Sequence, residues 1–171
     1  GLEMPGLEDL RAHWEPTRPA AAIVFYRALV QAGNLKPVDA LISALADRGL
    51  NPLPIYVSSL KDASSAELIA STLAQVDTAV VFNATGFAVS KPGAARVETP
   101  FDGADCPVIQ VIFSGSDRDG WEASAAGLSA RDIAMNVALP EVDGRLLSRA
   151  VSFKAEARFD ALTECAIVVY E

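Results

Sequence analysis

Two carboxylates that could do acid–base chemistry, Glu141 and Asp143, lie two residues apart in the segment Leu-Pro-Glu-Val-Asp-Gly. Pro140 lacks a backbone N–H and predicts the end of the preceding helix, and Gly144 permits a tight turn. Carboxylates held rigidly on such a turn are suited to proton abstraction or to binding a cation. The residues alone nevertheless favour a simpler interpretation, a solvated acidic turn, because most turns of this composition carry no chemistry.

The elements on either side must position this turn. Ser129 can cap a helix that begins at Ala130, with Asp132 three residues after the cap. A short apolar segment then leads into the turn, and a strand is predicted over residues 146–153. The sequence therefore predicts the order helix, short strand, acidic turn and strand.

Strands and helices alternate through the rest of the chain. Apolar runs predict strands over residues 20–25, 53–57, 78–82, 108–113 and 166–170. Apolar residues at helical spacing follow Pro37, and Ser64 with Glu67 predicts a capping box for the next helix. Such alternation implies a mostly parallel sheet with right-handed crossovers. We therefore predict an α/β fold, a three-layer sandwich of the Rossmann or flavodoxin type, with a C-terminal strand-turn-strand addition. Residues 1–19 are expected to form a linker or irregular lead-in, and residues 20–171 a single domain.

Polar residues follow several of the predicted strands. They are Arg27, Ser58, Ser59, residues 83–86 and Ser114. Because the carboxyl ends of parallel strands meet at one edge, where ligands bind in such sheets, we expect a binding site there. The long loop over residues 88–105 has no apolar period, and loops of this length often cover a site.

Charge and composition exclude several classes of protein. A formal net charge of −8 argues against binding to duplex nucleic acid or to an anionic membrane surface. His13 is the single histidine, and the two cysteines form no Cys-x-x-Cys pair, so a zinc or disulfide framework is not expected. The sequence lacks the Gly-rich loop of P-loop ATPases. No signal peptide or membrane span is predicted, so a cytoplasmic location is expected.

Several long segments resemble one known family. Residues 127–154, GLSARDIAMNVALPEVDGRLLSRAVSFK, resemble the signature region of the large subunit of aerobic cobaltochelatase, the CobN type. A relaxed form of this region occurs in the H-subunit of magnesium chelatase. The similarity continues through residues 22–33, 38–62, 83–90 and 106–116, and so covers nearly all of residues 20–154. Because those subunits are many times longer, the chain resembles one excised domain.

The resemblance implies a metal-insertion reaction. Co²⁺ would enter a corrin-type tetrapyrrole, hydrogenobyrinic acid a,c-diamide, during aerobic cobalamin biosynthesis, in a ligase that forms metal–nitrogen bonds. Cobalt is then a substrate, and ATP and Mg²⁺ are used by separate AAA-type motor subunits. The implied partners are the tetrapyrrole, the motor subunits and the remaining domains of the large subunit, without nucleic acid or membrane. The isolated fragment is expected to be inactive, because other domains complete the cavity.

Metal insertion requires removal of the pyrrole N–H protons and neutralisation of the peripheral carboxylates of the ring. The resemblance implicates the glutamate of the Leu-Pro-Glu block, here Glu141, in catalysis. Asp143 is the second catalytic candidate, although bracing of the turn through backbone N–H groups is its favoured role. The candidate substrate-binding residues are Arg27, Ser59, Lys61, Gly86, Phe87, Gln110 and Lys154. The metal ligands remain unassigned.

Each binding candidate also has a structural interpretation. Arg27 and Lys61 could be solvated charges at strand ends, and Gln110 is more typical of a hydrogen-bonded core amide. Phe87 could serve packing alone. Lys154 could pair with Glu141 or face water.

Two alternative functions remain. A magnesium chelatase-like domain would insert Mg²⁺ into protoporphyrin, although Arg145 and the SLKD motif at residues 59–62 favour the cobalt branch. A non-catalytic scaffold or anion-binding module would share the same fold. Convergence of Glu141, Arg27 and Lys61 on one concave surface would favour the catalytic interpretation.

Overall fold

The computed structural model describes residues 6–160 and 165–171. In these residues, five strands form a parallel sheet in the order β2-β1-β3-β4-β5, and two further strands form an antiparallel pair, β6-β7. The predicted fold, a mostly parallel α/β sheet with a C-terminal strand pair, is confirmed.

The strands are β1 (Ala20–Tyr26), β2 (Asn51–Val57), β3 (Thr78–Asn83), β4 (Val108–Phe113), β5 (Leu146–Ser152), β6 (Lys154–Asp160) and β7 (Cys165–Tyr170). The helices are α1 (Leu7–Arg11), α2 (Arg27–Gln31), α3 (Lys36–Asp47), α4 (Ala63–Ala74), α5 (Arg118–Ala123), α6 (Ala130–Ile133) and α7 (Leu139–Val142). A π-helical turn (Ala134–Ala138) joins α6 to α7, and a 3₁₀ turn covers Asp102–Ala104.

Strand β1 lies between β2 and β3, and both of its faces are covered. Its residues from Ala20 to Phe25 are all buried. On one face, Ala22 and Val24 pack in a cluster with Ile69 of α4. On the other face, residues such as Ile23 pack with Val38 of α3. Each strand residue is thereby removed from water, which is the main stabilising contribution to a sheet covered on both sides.

The ends of the helices follow the sequence signals in part. Pro37 lies in the first turn of α3, and Gly49 beyond its end has a positive φ of 78°, which glycine adopts without strain. The predicted capping box of Ser64 and Glu67 is wrong. Asp62 caps α4 instead, since its carboxylate accepts the backbone N–H of Ser65.

The prediction that Pro140 ends the preceding helix is also wrong. Residues 130–142 form one continuous helical segment, and Glu141 lies on its last turn rather than in a loop. The π-helical turn inserts an extra residue before the proline, and the N–H of Leu139 donates to the carbonyl of Ala134. Pro140 consequently enters the first turn of α7, where a backbone donor is not required.

Part of the predicted lead-in, residues 6–19, packs on the domain. It contains α1, and Leu7, Leu10 and Trp14 pack against the cluster formed by β1 and α4. No helix in the described residues is long and apolar enough to cross a membrane.

The two edges of the sheet differ. Edge strand β2 carries Pro52 and Pro54, which remove backbone donors and discourage further strand pairing. Edge strand β5 exposes Leu146, Leu147 and Val151. Beyond β5 the chain turns into the β6-β7 pair, whose end returns to the sheet through reciprocal backbone hydrogen bonds between Phe153 and Glu171.

Candidate functional site

The carboxyl edge of the sheet presents an exposed aromatic residue, Phe87, on the loop that follows β3. Its side chain is 49% exposed, and its backbone has a φ of 66°. A phenylalanine rarely adopts this left-handed conformation, which costs on the order of 1–3 kcal/mol and persists only where the surroundings impose it. The loop must therefore be held from several sides.

A buried polar cluster holds the base of this loop. Asn83 at the end of β3 donates to the Oε1 of Gln110 on β4 at 2.9 Å and to the carbonyl oxygen of Thr85 at 3.0 Å. Gln110 donates to the same Thr85 carbonyl at 2.9 Å. The Thr85 hydroxyl donates back to the Oδ1 of Asn83 at 2.9 Å. Because all three residues are fully buried, these bonds satisfy groups that would otherwise be costly to bury.

An ion pair completes the cluster. Arg145 donates through Nη1 to Gln110 at 3.0 Å and through Nη2 to Asp143 at 2.9 Å. Both side chains of the pair are only 1% exposed. The Asp143 carboxylate also accepts the backbone N–H groups of Val89 at 2.7 Å and Ser90 at 2.9 Å. Burial lowers the pKa of the Arg145 guanidinium, and the adjacent carboxylate opposes that effect.

The loop is also held at its tip. The N–H of Phe87 donates to the carbonyl oxygen of Met135, in the π-helical turn, at 2.8 Å. The Tyr26 hydroxyl donates to the Gly86 carbonyl at 3.2 Å, and burial raises the pKa of that phenol, so it remains a donor at neutral pH. A Cβ at position 86 would lie 3.1 Å from the Met135 oxygen and from the Oδ1 of Asn136. A larger residue would force one of these neighbours to shift by a few tenths of an ångström, so glycine suits this close approach.

Phe87 separates two clefts at the carboxyl edge. The Lys61 cleft has a volume of about 290 Å³ and is lined by Tyr26, Ser59, Leu60, Lys61, Gly86, Phe87 and Ala88. The Lys154 cleft, about 320 Å³, shares Tyr26, Gly86 and Phe87 and adds Arg131, Met135, Lys154 and Tyr170, among others. Apolar and aromatic surface therefore lies at the centre, with cationic side chains on both sides.

The charges around Phe87 are suited to an anionic ligand. Lys61, Arg131 and Lys154 form no ion pair with any residue in the described part of the chain. Asp132 also lines the Lys154 cleft, but its carboxylate accepts the Ser114 hydroxyl and the N–H of Gly115, both at 3.0 Å. The arrangement can hold a flat apolar molecule that carries carboxylates at its periphery.

A family model described as CobN/Magnesium Chelatase matches residues 4–171. The chain belongs to the CobN/magnesium chelatase family. It is 56% identical over 161 residues to the aerobic cobaltochelatase subunit CobN of Sinorhizobium sp, and 42% identical over 164 residues to that of Pseudomonas aeruginosa. These alignments cover 94% and 96% of this chain.

A solved structure, the catalytic subunit of cobaltochelatase from Mycobacterium tuberculosis, matches 91% of the chain with a TM-score of 0.72 and 32% identity. The predicted family is therefore confirmed. The chain spans only 12–13% of the length of these two curated relatives and of the solved subunit.

The structure of this CobN-family domain brings five of the predicted binding residues together. Ser59, Lys61, Gly86, Phe87 and Lys154 all line one or both clefts. Lys154 forms no ion pair with Glu141 in the described residues, so that interpretation is wrong.

Two of the predicted binding residues lie elsewhere. Gln110 is fully buried, and its amide is used by Asn83, Thr85 and Arg145, as the interpretation of a hydrogen-bonded core amide expected. A substrate contact of this residue stays a prediction. Arg27 is exposed at the start of α2 and lines neither cleft.

The two predicted catalytic carboxylates have different surroundings. Asp143 is buried and braces the loop after β3 through backbone N–H groups, as the favoured structural interpretation expected, although the N–H groups belong to a distant loop. Glu141 is exposed and lies just before β5, whose first residue, Leu146, pairs with Ile109 near the start of β4. Glu141 therefore lies toward the amino edge of the sheet, whereas Arg27 and Lys61 follow the carboxyl ends of β1 and β2, so the three residues do not share one edge.

A further cavity, about 630 Å³, lies near the starts of β4 and β5. Its charged residues are largely paired with each other, Arg96 with Asp102 and Arg145 with Asp143. Hydrogen bonds from Arg96 are the main cause that lowers the pKa of Asp102 to about 2. Because both of its arginines are already paired and Asp105 adds a further negative charge, this cavity offers an anionic ligand less than the carboxyl edge does.

The described residues contain no group of three or more His, Cys, Asp or Glu side chains that could hold a metal ion. Tyr26 and Met135 were missed as parts of the site, because an aromatic in an apolar strand and a methionine in a helix are typical of a core. The sequence does contain a signal for the buried polar cluster that includes Arg145. Arg145 closely follows the acidic Asp143, and Asn83 and Gln110 are amides within otherwise apolar strands.

Proposed function

We propose that this chain is a domain of the catalytic subunit of an ATP-dependent cobaltochelatase, which inserts Co²⁺ into hydrogenobyrinic acid a,c-diamide in aerobic cobalamin biosynthesis. The observation that carries the proposal is 56% identity, across 94% of the chain, to an aerobic cobaltochelatase subunit. Both the cobalt ion and the tetrapyrrole are substrates in this reaction.

The domain contributes one wall of the tetrapyrrole site. The exposed ring of Phe87 stacks on the macrocycle, and the surrounding apolar surface excludes water from its face. Lys61 and Lys154, on opposite sides of Phe87, bind the peripheral carboxylates, with Ser59 and Gly86 supplying hydrogen-bonding groups. Such local cations are needed because the chain as a whole carries a net charge of −8 and would otherwise repel an acidic ligand.

Proton removal by Glu141 remains part of the proposal in a restricted form. Its carboxylate is exposed and lies toward the amino edge of the sheet, so it does not reach a ring stacked on Phe87 of the same domain. It acts as a general base only on a ring that another part of the subunit brings to this surface. Asp143 has no direct chemical role, because its carboxylate is buried and occupied by Arg145 and two backbone N–H groups.

Partner subunits supply the energy for insertion. AAA-type motor subunits hydrolyse ATP with Mg²⁺, and the sequence of this domain lacks the Gly-rich loop that such chemistry requires. The complete enzyme, a multisubunit ligase, operates in the cytoplasm.

Magnesium insertion is the second candidate function. It is favoured by the family description, which covers magnesium chelatase, whereas both curated relatives named above are cobaltochelatase subunits. Insertion assays with Co²⁺ and Mg²⁺, each with its own tetrapyrrole, separate the two. Failure to insert either metal despite tetrapyrrole binding would favour a non-catalytic binding module.

The proposed binding edge is tested by titrating the full-length subunit with the tetrapyrrole and following the fluorescence of the ligand. Phe87→Ala is expected to raise the dissociation constant about tenfold, since about 1.4 kcal/mol of aromatic contact is lost. Lys61→Ala and Lys154→Ala are each expected to raise it about threefold.

Lys91→Ala is the matched control, because Lys91 is exposed on the neighbouring loop and lines neither cleft. Wild-type affinity in all three cleft variants would exclude this edge as the binding surface.

A further inference from the structure

We propose that Pro140 is a positioning residue for Phe87, because the missing N–H of the proline leaves the Met135 carbonyl free to bind the Phe87 amide. The inference rests on the proposed function in one respect, namely that Phe87 contacts the tetrapyrrole. Pro140 itself is buried and lines neither cleft, so it acts only through Phe87.

The hydrogen-bond pattern of the helix gives the first step. In an α-helix the Met135 carbonyl would accept the N–H of Leu139, but that N–H donates to Ala134 in the π-helical turn. In the π-helical pattern the carbonyl would accept from residue 140, which is proline and has no N–H. The Met135 carbonyl is consequently left without a donor inside its own helix.

The second step is the use made of that carbonyl. Phe87 donates its N–H to Met135 at 2.8 Å, so the orphaned acceptor is satisfied by the loop after β3. Gly86 allows the loop to approach, since a Cβ there would lie 3.1 Å from the same oxygen. This hydrogen bond stabilises Phe87 itself, whose left-handed backbone, with a φ of 66°, is strained.

The third step links this contact to the clefts. Gly86 and Phe87 form the wall shared by the Lys61 and Lys154 clefts. Release of the Phe87 amide would allow the backbone to relax to a negative φ, which moves the ring from its place between the two cationic sides. Pro140 therefore influences ligand affinity without touching the ligand.

Pro140→Ala in the full-length subunit tests the inference. Alanine restores an N–H that competes for the Met135 carbonyl, and it is a better helix former than proline, so the variant is expected to remain folded. The amide of Phe87 is expected to exchange with solvent about fivefold faster by hydrogen-exchange mass spectrometry. The dissociation constant of the tetrapyrrole is expected to rise about fivefold, while turnover at saturating tetrapyrrole is unchanged.

Two further variants make the result specific. Pro92→Ala, in the exposed loop before β4, removes a proline that frees no helical carbonyl, and it should leave both measurements unchanged. In a Phe87→Ala background, Pro140→Ala should no longer weaken binding, because a residue that acts through Phe87 has no effect once that ring is absent.

Unchanged exchange of the Phe87 amide in Pro140→Ala would overturn the inference and leave the proposed function standing on its own titration. Faster exchange with wild-type affinity would also overturn it. Failure of the proposed binding edge is recognised separately, as wild-type affinity in Phe87→Ala, Lys61→Ala and Lys154→Ala.

Discussion

Replacing Arg145 with leucine is expected to be among the most destabilising single changes in this domain. The substitution leaves the Asp143 carboxylate, whose side chain is 1% exposed, without its cationic partner. It also removes the donor that Gln110 accepts at 3.0 Å. Breaking a buried ion pair from one side costs about 3–5 kcal/mol, because the remaining charge is neither solvated nor paired.

This loss is large relative to the stability of the whole domain. Folded domains are typically stable by about 5–15 kcal/mol, so Arg145→Leu would use up much of that margin. With a urea dependence of about 2 kcal/mol per molar, the midpoint of unfolding should fall by about 2 M. The fluorescence of Trp14 and Trp121 and far-ultraviolet circular dichroism give two independent probes of the transition.

Two comparisons show whether the buried charge is the cause. Arg96→Leu breaks an ion pair with Asp102 in which the arginine is half exposed and the carboxylate keeps its donors from Thr99, so its midpoint should fall by no more than about 0.5 M. The double variant Asp143→Leu, Arg145→Leu should lose less than the sum of the two single variants, because no unpaired charge remains. A midpoint for Arg145→Leu close to that of Arg96→Leu would refute the reasoning.

Two other perturbations have defined outcomes. Arg96 holds the pKa of Asp102 at about 2, below the value of about 3.9 in an unfolded chain, so its stabilisation is complete above pH 4 and is lost as the pH falls from about 4 to 2. Asp102→Asn should therefore flatten the dependence of the urea midpoint on pH in that window, and an unaltered profile would contradict the assignment. Glu141→Gln in the full-length subunit, assayed with its motor subunits, is expected to slow metal insertion about 100-fold without changing the unfolding midpoint. Glu122→Gln, on exposed α5, is the control, and full activity in Glu141→Gln would remove this carboxylate from the mechanism.

The elements that could be predicted from sequence are those with strong, local signals. The apolar run Ala20–Tyr26 indicates a strand covered on both faces because each of its residues must leave water. Pro37 and Gly49 mark the ends of α3 by backbone constraints that act within a few residues. The alternation of such elements is sufficient to predict the parallel sheet and the edge at which its strands end.

The predictions that failed depended on partners distant in sequence or on a local insertion in a helix. Pro140 was expected to end a helix, but one extra residue in a π-helical turn accommodates it, and no sequence rule indicates that insertion. Asp143 was assigned to its own turn, whereas the N–H groups that it accepts belong to Val89 and Ser90, more than 50 residues earlier. For Glu141, the family resemblance suggested a role, but exposure depends on which surfaces surround it, and the matched relative extends far beyond the part that aligns with this chain.

The amides inside the sheet have a consequence for how the strands align. Asn83 lies opposite Gln110 in the β3-β4 pair, and Gln110 lies opposite Leu147 in the β4-β5 pair. Sliding β4 by one residue would turn Gln110 to the other side of the sheet and place Ile109 or Val111 beside Asn83. The Asn83 amide and the Arg145 guanidinium would then lose hydrogen-bond partners in an apolar interior. Each lost partner would destabilise the fold by about 1–3 kcal/mol. A sheet with only aliphatic residues at these positions would tolerate such a shift more readily. The buried polar groups therefore specify a single register of β4.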